Sequence, residues 1–248
     1  MKFIKYVLII FFIAGILQAC SSSSPKNKKS AKAGDNAVTL AAAGESILPA
    51  GPITPNPYLQ NKPAINNAAA QQFSNASRAM RNRQWAQAEA LLQQIVAQHK
   101  NFSGAWLNLG LVYHAQKDNK RAEQAFTQAI SANHLNLDAY NQLAILQREQ
   151  GRFNEAEINY KKALTLWPFH AESHKNIGIL YDLYLGKNAE ALAHFEAYRQ
   201  LRGDNDKQVI GWIADLQRRL GIAPKPKAPP AEAQPVTDEN PEAVEVAE

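Results

Sequence analysis

Sliding the chain against itself by 34 residues sets like on like. Leu109, Leu143 and Ile177 align, as do Gly110, Ala144 and Gly178, and Ala88, Ala122 and Ala156. Phe126 meets Tyr160, and Ala129 meets Ala163. A period of this length marks a stack of small supersecondary units, none of which can bury its apolar face alone. The residue types say which unit. Small residues at Gly110, Ala144, Gly178, Ala122 and Ala156 suit the crossing of two helices, where backbones approach closely and ridges interlock. Large ones at Trp106, Tyr113, Phe126, Tyr140 and Tyr160 fill the space between hairpins. Pro168 stops a second helix. Gly151 and Gly186 fall at turns inside hairpins, where a positive φ is useful.

The best copy reads Trp106-x2-Leu109-Gly110-x2-Tyr113, then Ala122-x3-Phe126 and Ala129, and it resembles the tetratricopeptide repeat at almost every signature position; only the proline is replaced, by His134. The next copy keeps Tyr140, Leu143, Ala144, Ala156, Tyr160, Ala163 and Pro168 and has Gln147 for the central tyrosine. A later copy keeps Ile177, Gly178 and Tyr181 but reaches Ala191 and Phe195 one residue late, which predicts an insertion near Leu185 and Gly186. An earlier, weaker copy holds Ala76, Ala88, Leu92 and Ile95, and Trp85 is expected to seal its end of the array. The resemblance implies an all-α, right-handed solenoid of four repeats over residues 69–205, at 69–102, 103–136, 137–170 and 171–205. Val209, Trp212, Ile213, Leu216 and Leu220 then recur at helical spacing before Gly221. This predicts a capping helix over 206–221, covering an otherwise bare apolar end.

Outside the array the composition changes. Lys2 and Lys5 precede an apolar run from Tyr6 to Ile16, and Leu17-Gln18-Ala19-Cys20 follows. That is the pattern of an export signal, too short in its apolar part to cross a bilayer as a permanent helix of about 20 residues. Leu17 to Cys20 resembles the lipobox of bacterial lipoproteins, which implies a signal peptide at 1–19 and lipidation of Cys20. Several acyl chains on one residue anchor stably, at about 0.8 kcal/mol per buried CH₂. Ser21 in place of aspartate implies the periplasmic face of the outer membrane for a Gram-negative source. Residues 20–68 run through serines, lysines, alanines and prolines with almost no aromatic residue, and read as a flexible tether with nothing to build a core. Its root-mean-square span would be roughly 35–40 Å. Residues 222–248, with six prolines and six acids against two lysines, read as a disordered acidic tail. Net charge is segregated accordingly, with +5 over residues 1–68, +4 over 69–220 and −4 over 221–248.

The chemistry that this sequence lacks narrows its function. One cysteine builds neither a disulfide nor a thiolate metal site. Of six histidines only His170 and His174 share an i, i+4 spacing, and in repeat register His174 takes the packing slot of Trp106 and Tyr140 while His170 falls in the preceding loop. No cofactor and no metal is therefore expected. Acids such as Glu155 with Glu157, or Asp204 with Asp206, read as solvated faces and helix-start residues. Phosphate loops, nucleophile elbows and His-Glu-x-x-His helices do not occur, so an enzyme is not expected, and a hydrolase of envelope polymer is a remote alternative. Exported chains do not meet cytoplasmic nucleic acid, and no basic helix face stands out.

In tetratricopeptide arrays the first helices line a concave face, with the fifth, ninth and twelfth positions pointing into it. The resemblance thus implies a groove of Leu107, Leu111 and His114, then Asn141, Ile145 and Arg148, then Lys175, Ile179 and Asp182. Inter-repeat packing is the competing reading for Leu111, Ile145 and Ile179. Such a groove suits an extended peptide or an amphipathic helix from a protein partner, with Asn141, Arg148 and Lys175 as polar handles. Four repeats on a lipid anchor resemble the pilotin-like lipoproteins that help pilus secretins assemble; an adaptor for peptidoglycan enzymes is the alternative within the same class.

Overall fold

The computed structural model describes residues 46–61 and 65–223. The expected signal peptide, Cys20 and the tail from residue 224 onward lie outside the described residues. After a short helix, α1 (Pro57–Gln60), come α2 (Asn67–Arg81), α3 (Trp85–Gln98), α4 (Ser103–Ala115), α5 (Asn119–Ala132), α6 (Leu137–Glu149), α7 (Phe153–Leu166), α8 (Ala171–Leu180), α9 (Asn188–Arg202) and α10 (Lys207–Arg219). No strand occurs among the described residues. None of these helices is long and apolar enough to cross a membrane.

Four antiparallel pairs, α2/α3, α4/α5, α6/α7 and α8/α9, stack in order, each second helix packing on the first helix of the next pair and α9 on α10. The first helices also touch one another, α2 to α4, α4 to α6 and α6 to α8, so they form one layer of the solenoid. Capping fixes where helices begin. The side chains of Asn66, Asp118, Asn136 and Asp206 accept from backbone N–H groups in the first turns of α2, α5, α6 and α10. Asn136 is buried and also donates to the Ser103 hydroxyl at 2.7 Å, which in turn donates to the Ala129 carbonyl. The chain thereby locks the start of α6 to the start of α4 and the end of α5.

The small residues work differently from the expected backbone-to-backbone contact. A Cβ added at Gly178 would sit 2.6 Å from the Phe195 ring, and one at Gly110 would collide with Phe126. Each glycine therefore makes room for an aromatic ring from the partner helix, and both rings are buried. Trp85 packs, partly buried, against the first core cluster, where a seal was expected. Val209, Ile213 and Leu216 bury the apolar side of α10, and Trp212 stacks 5.2 Å from Phe195.

Hairpin turns place one residue in left-handed backbone at a constant register: Arg83 at φ 55°, Lys117 at 63° and Gly151 at 76°. Only the last has the residue that such a turn favours; the other two carry strain of order 1 kcal/mol each. The fourth turn differs. Residues Tyr181–Leu185 form a π-turn that ends in left-handed Gly186. A wider turn consumes an additional residue per revolution, so it absorbs the insertion before α9 begins.

Part of the expected tether is ordered, and that reading is corrected for residues 46–61. They run as a strap past the ends of the second helices. Ser46 Oγ donates to Gln200 Oε1 at 2.8 Å near the end of α9, and Leu48 packs on the C-terminal core cluster. Trp167 Nε1, just past α7, donates to the Thr54 carbonyl at 3.0 Å. Asn133 Nδ2, just past α5, donates to the Asn61 carbonyl at 3.3 Å. Tyr58 is only 2% exposed. Averaged composition hid these few anchors, and prolines lower the entropy lost on ordering the segment between them.

Candidate protein-binding face

The residues assigned to the groove divide by what they touch. Leu107 is 1% exposed and belongs to the core, so its expected place on the groove floor is corrected. Leu111, Ile145 and Ile179 are half-buried, each leaning on a core cluster, and form an apolar row along the layer of first helices. One side of that row packs inward and the other remains accessible.

Polar positions are mostly used to tie one repeat to the next. Asn176 Nδ2 donates to Asn141 Oδ1 at 3.2 Å, and Asn141 is 4% exposed. His114 Nε2 lies 2.7 Å from Glu149 Oε2, and that contact, opposing burial, holds the Glu149 carboxyl below its usual range. Lys175 Nζ pairs with Asp206 Oδ2 at 2.9 Å, close to the Tyr198 ring. Arg219 donates to Asp182 Oδ1 at 2.6 Å. Asn141 and Lys175 are therefore struts between repeats, not the free handles expected. Arg148 is different. Its Nη1 is buried without a hydrogen-bond partner. The Tyr160 hydroxyl in the same hairpin is likewise buried with no acceptor. Burial pushes that phenol well up, and the neighbouring Arg148 charge opposes the shift.

Two features escaped the sequence reading. Glu89, Glu123 and Glu157, spaced by one repeat, each reach a cation at the start of the next second helix: Arg121 at 2.8 Å, Arg152 at 2.8 Å and Lys187 at 3.1 Å. Their shared 34-residue offset was the available signal. Glu157 is the most enclosed. Burial would raise its pKa, but donation from Lys161, Lys187 and the Tyr181 hydroxyl outweighs this and holds the carboxyl below its usual range. It is a half-buried strut where a solvated face was expected. The second feature is the π-turn, which lifts Leu183 to 67% exposure and Tyr184 to 47%, with the Tyr184 ring 4.8 Å from Phe153.

His174 and His170 do not face one another across a metal position. His174 Nε2 meets the Pro168 carbonyl at 2.8 Å and its Nδ1 meets His194 Nδ1 at 2.9 Å, while His170 contacts Ser173 and Asp138. Among the described residues no group of three or more His, Cys, Asp or Glu side chains could hold an ion. The arrangement offers an apolar row with one cationic donor, which is recognition chemistry.

Comparison with known proteins agrees with this architecture. The family profile described as tetratricopeptide repeat matches residues 104–168 and 135–203. Tetratricopeptide repeat protein 8 of Homo sapiens is 34% identical over 77 residues, 31% of this chain and 14% of that protein, so the chain spans about a seventh of the length of this curated relative. Among solved structures, pilF of Pseudomonas aeruginosa superposes with a TM-score of 0.57 at 22% identity, covering 62% of this chain and 69% of that one. MamA gives 0.53 at 14% identity, covering 64% and 85%. Identities this low speak to the fold alone. The tetratricopeptide-repeat signature runs through residues 104–203, and among the described residues the paired helices stack as a solenoid of the tetratricopeptide type.

Proposed function

We propose that the protein is a lipid-anchored scaffold of the bacterial cell envelope that holds a protein partner on its layer of first helices, as an assembly factor of the pilotin kind. The export signal and the lipobox-like Leu17 to Cys20 support the anchor. The observation that carries the binding reading is Arg148: a guanidinium whose Nη1 is buried without a hydrogen-bond partner, one turn along α6 from the half-buried Ile145. A fixed cation next to apolar anchor points sets both affinity and register for a peptide or an amphipathic helix. The choice of pilus secretin assembly as the process served rests on the resemblance of four repeats behind a lipobox-like sequence to the pilotin-like lipoproteins.

A photo-crosslinking residue at position 148, compared with one at the exposed Gln124 of α5, tests the surface in living cells. Position 148 is expected to trap one defined protein; equal labelling at both positions removes the reading. Cys20→Ala is expected to release the protein from the membrane fraction. Deleting the gene is expected to abolish secretin multimers, and intact multimers would exclude the pilotin role while leaving the scaffold reading to the crosslink.

A further inference from the structure

The strap is the part of the molecule that the scaffold reading does not use. It crosses the edge of the solenoid where second helices end, away from the layer that carries Arg148. Its contacts have a particular chemistry. Trp167 Nε1 and Asn133 Nδ2 both donate to main-chain carbonyls, those of Thr54 and Asn61, which any residue would present. Side chains are held at four points: Ser46 donates to Gln200 Oε1, Leu48 packs on the core, the Thr54 hydroxyl accepts from Trp167 Nε1 at 3.2 Å, and Tyr58 is buried; every residue from 49 to 55 is exposed. Pro49, Pro52 and Pro55 restrict the backbone between those anchors, and Pro57 opens the short helix α1 that carries Tyr58. Carbonyl acceptance combined with a few side-chain anchors is how grooves read proline-bearing peptides. Few contacts hold the strap, and its advantage over an outside peptide is largely that of being tethered, an effective concentration of order mM for short linkers.

We propose that the edge formed by the ends of α5, α7 and α9 is a second peptide-binding track, occupied in cis by residues 46–61 and open in trans to a partner's extended proline-bearing segment with an aliphatic anchor about ten residues before an aromatic one. The track is independent of Arg148, so it stands or falls separately from the proposed function. Donors aligned at the helix ends meet the backbone of the incoming segment, and the sites of Leu48 and Tyr58 select its side chains.

A fluorescein-labelled peptide with the sequence of residues 46–61, titrated with the full-length protein and followed by anisotropy, is the probe. The unaltered protein binds it weakly because its own strap competes. The double variant Leu48→Ala, Tyr58→Ala loosens the strap without touching the array, and it is expected to bind the peptide at least tenfold more tightly. Limited proteolysis of that variant cuts within residues 46–61 while the helical circular dichroism is retained. Adding Trp167→Phe, which keeps an aromatic ring and removes the donor, lowers the affinity about fivefold, the loss of one hydrogen bond of about 1 kcal/mol. A strap that stays protease-resistant after both anchors are removed overturns the proposal, as does a released strap with no gain in peptide binding. Crosslinking lost at position 148 with peptide binding retained would sink the proposed function and leave this track in place.

Discussion

The second and fourth hairpins solve one packing problem with different chemistry. In both, a glycine on the first helix lies under an aromatic ring from the second, Gly110 under Phe126 and Gly178 under Phe195. In both, a flat ring fills the slot ahead of that glycine and donates to the carbonyl six residues earlier: Trp106 Nε1 to Lys100 at 2.9 Å, His174 Nε2 to Pro168 at 2.8 Å. The slot takes a planar ring, and in these two hairpins indole and imidazole each also aim an N–H at the preceding loop. They differ in what remains. Indole has spent its only polar atom, whereas imidazole keeps a second nitrogen, which His194 meets inside the hairpin. Equivalent architecture thus gives one hairpin a titratable interior and the other none.

Removing the rings tests the shared part most severely. Phe126→Ala deletes a fully buried ring and is expected to cost about 3–5 kcal/mol, read as the shift in a chemical denaturation midpoint. Phe195→Ala should cost a similar amount, but its ring also supports Trp212. Amide exchange in α10 should therefore rise well before the rest of the array in that variant and remain cooperative with it in Phe126→Ala.

Acid separates the two hairpins next. The Pro168 carbonyl can only accept, so neutral His174 carries its proton on Nε2 and presents a lone pair at Nδ1, to which His194 Nδ1–H donates. Burial lowers the His174 pKa to about 4, with His170 adding to the effect. Burial also lowers that of His194 to about 3, with His174 and Lys161 adding to it. The unfolded chain, with an ordinary value near 6.5, binds protons first as pH falls, so stability is full above about pH 6.5 and is lost on descent toward pH 4. One proton displaced over that interval corresponds to about 3 kcal/mol. Thermal unfolding between pH 7 and 4.5 should show the fourth hairpin melting ahead of the second, and the double variant His174→Trp, His194→Leu should flatten the dependence. An unchanged pH profile in that variant would place the acid sensitivity elsewhere.

How much of this was legible follows from what kind of signal each part leaves. The hairpins, the glycine positions and the role of His174 as a slot-filling ring were readable because they recur at a fixed offset, and recurrence survives without coordinates. The strap was not, since its order depends on single residues, Leu48, Thr54 and Tyr58, meeting distant ones such as Trp167, and a composition average erases single residues. The groove was readable only as a list of candidate positions, of which Leu107 and Asn141 are buried. Which of them were already consumed was not, because Lys175 with Asp206, or Asp182 with Arg219, pair across repeats of unlike sequence.

A smaller effect separates the hairpins at their glycines. Gly178→Ala forces a Cβ to 2.6 Å from the Phe195 ring, yet the third hairpin tolerates Ala144 at the same register. Overpacking of this size costs about 1–3 kcal/mol. The π-turn that follows α8 gives that helix room to shift, so Gly178→Ala should fall toward the lower end and Gly110→Ala, in a hairpin with a tight turn, toward the upper. Equal denaturation midpoints for the two variants would show that the π-turn provides no such freedom.

The smallest effect lies in the acidic ladder. Glu89 and Glu123 each engage arginines near the surface, and exposed pairs of that kind contribute about 0.2–1 kcal/mol. Glu157 sits deeper and takes bonds from Lys187 at 3.1 Å, Lys161 at 2.7 Å and the Tyr181 hydroxyl at 2.9 Å, so it fastens α7 to the π-turn of the fourth hairpin. Glu157→Gln keeps the shape and one acceptor but removes the charge that the two lysines share; it should cost about 1 kcal/mol, more than Glu123→Gln, and the difference should narrow in 1 M salt, where the Debye length is about 3 Å. The partial enclosure of Glu157 leaves a residue of the effect that salt does not screen, since the tyrosine hydroxyl loses its charged acceptor as well. If both variants instead lose the same stability and respond alike to salt, the ladder is a surface ornament along its whole length and the fourth hairpin is held by its rings alone.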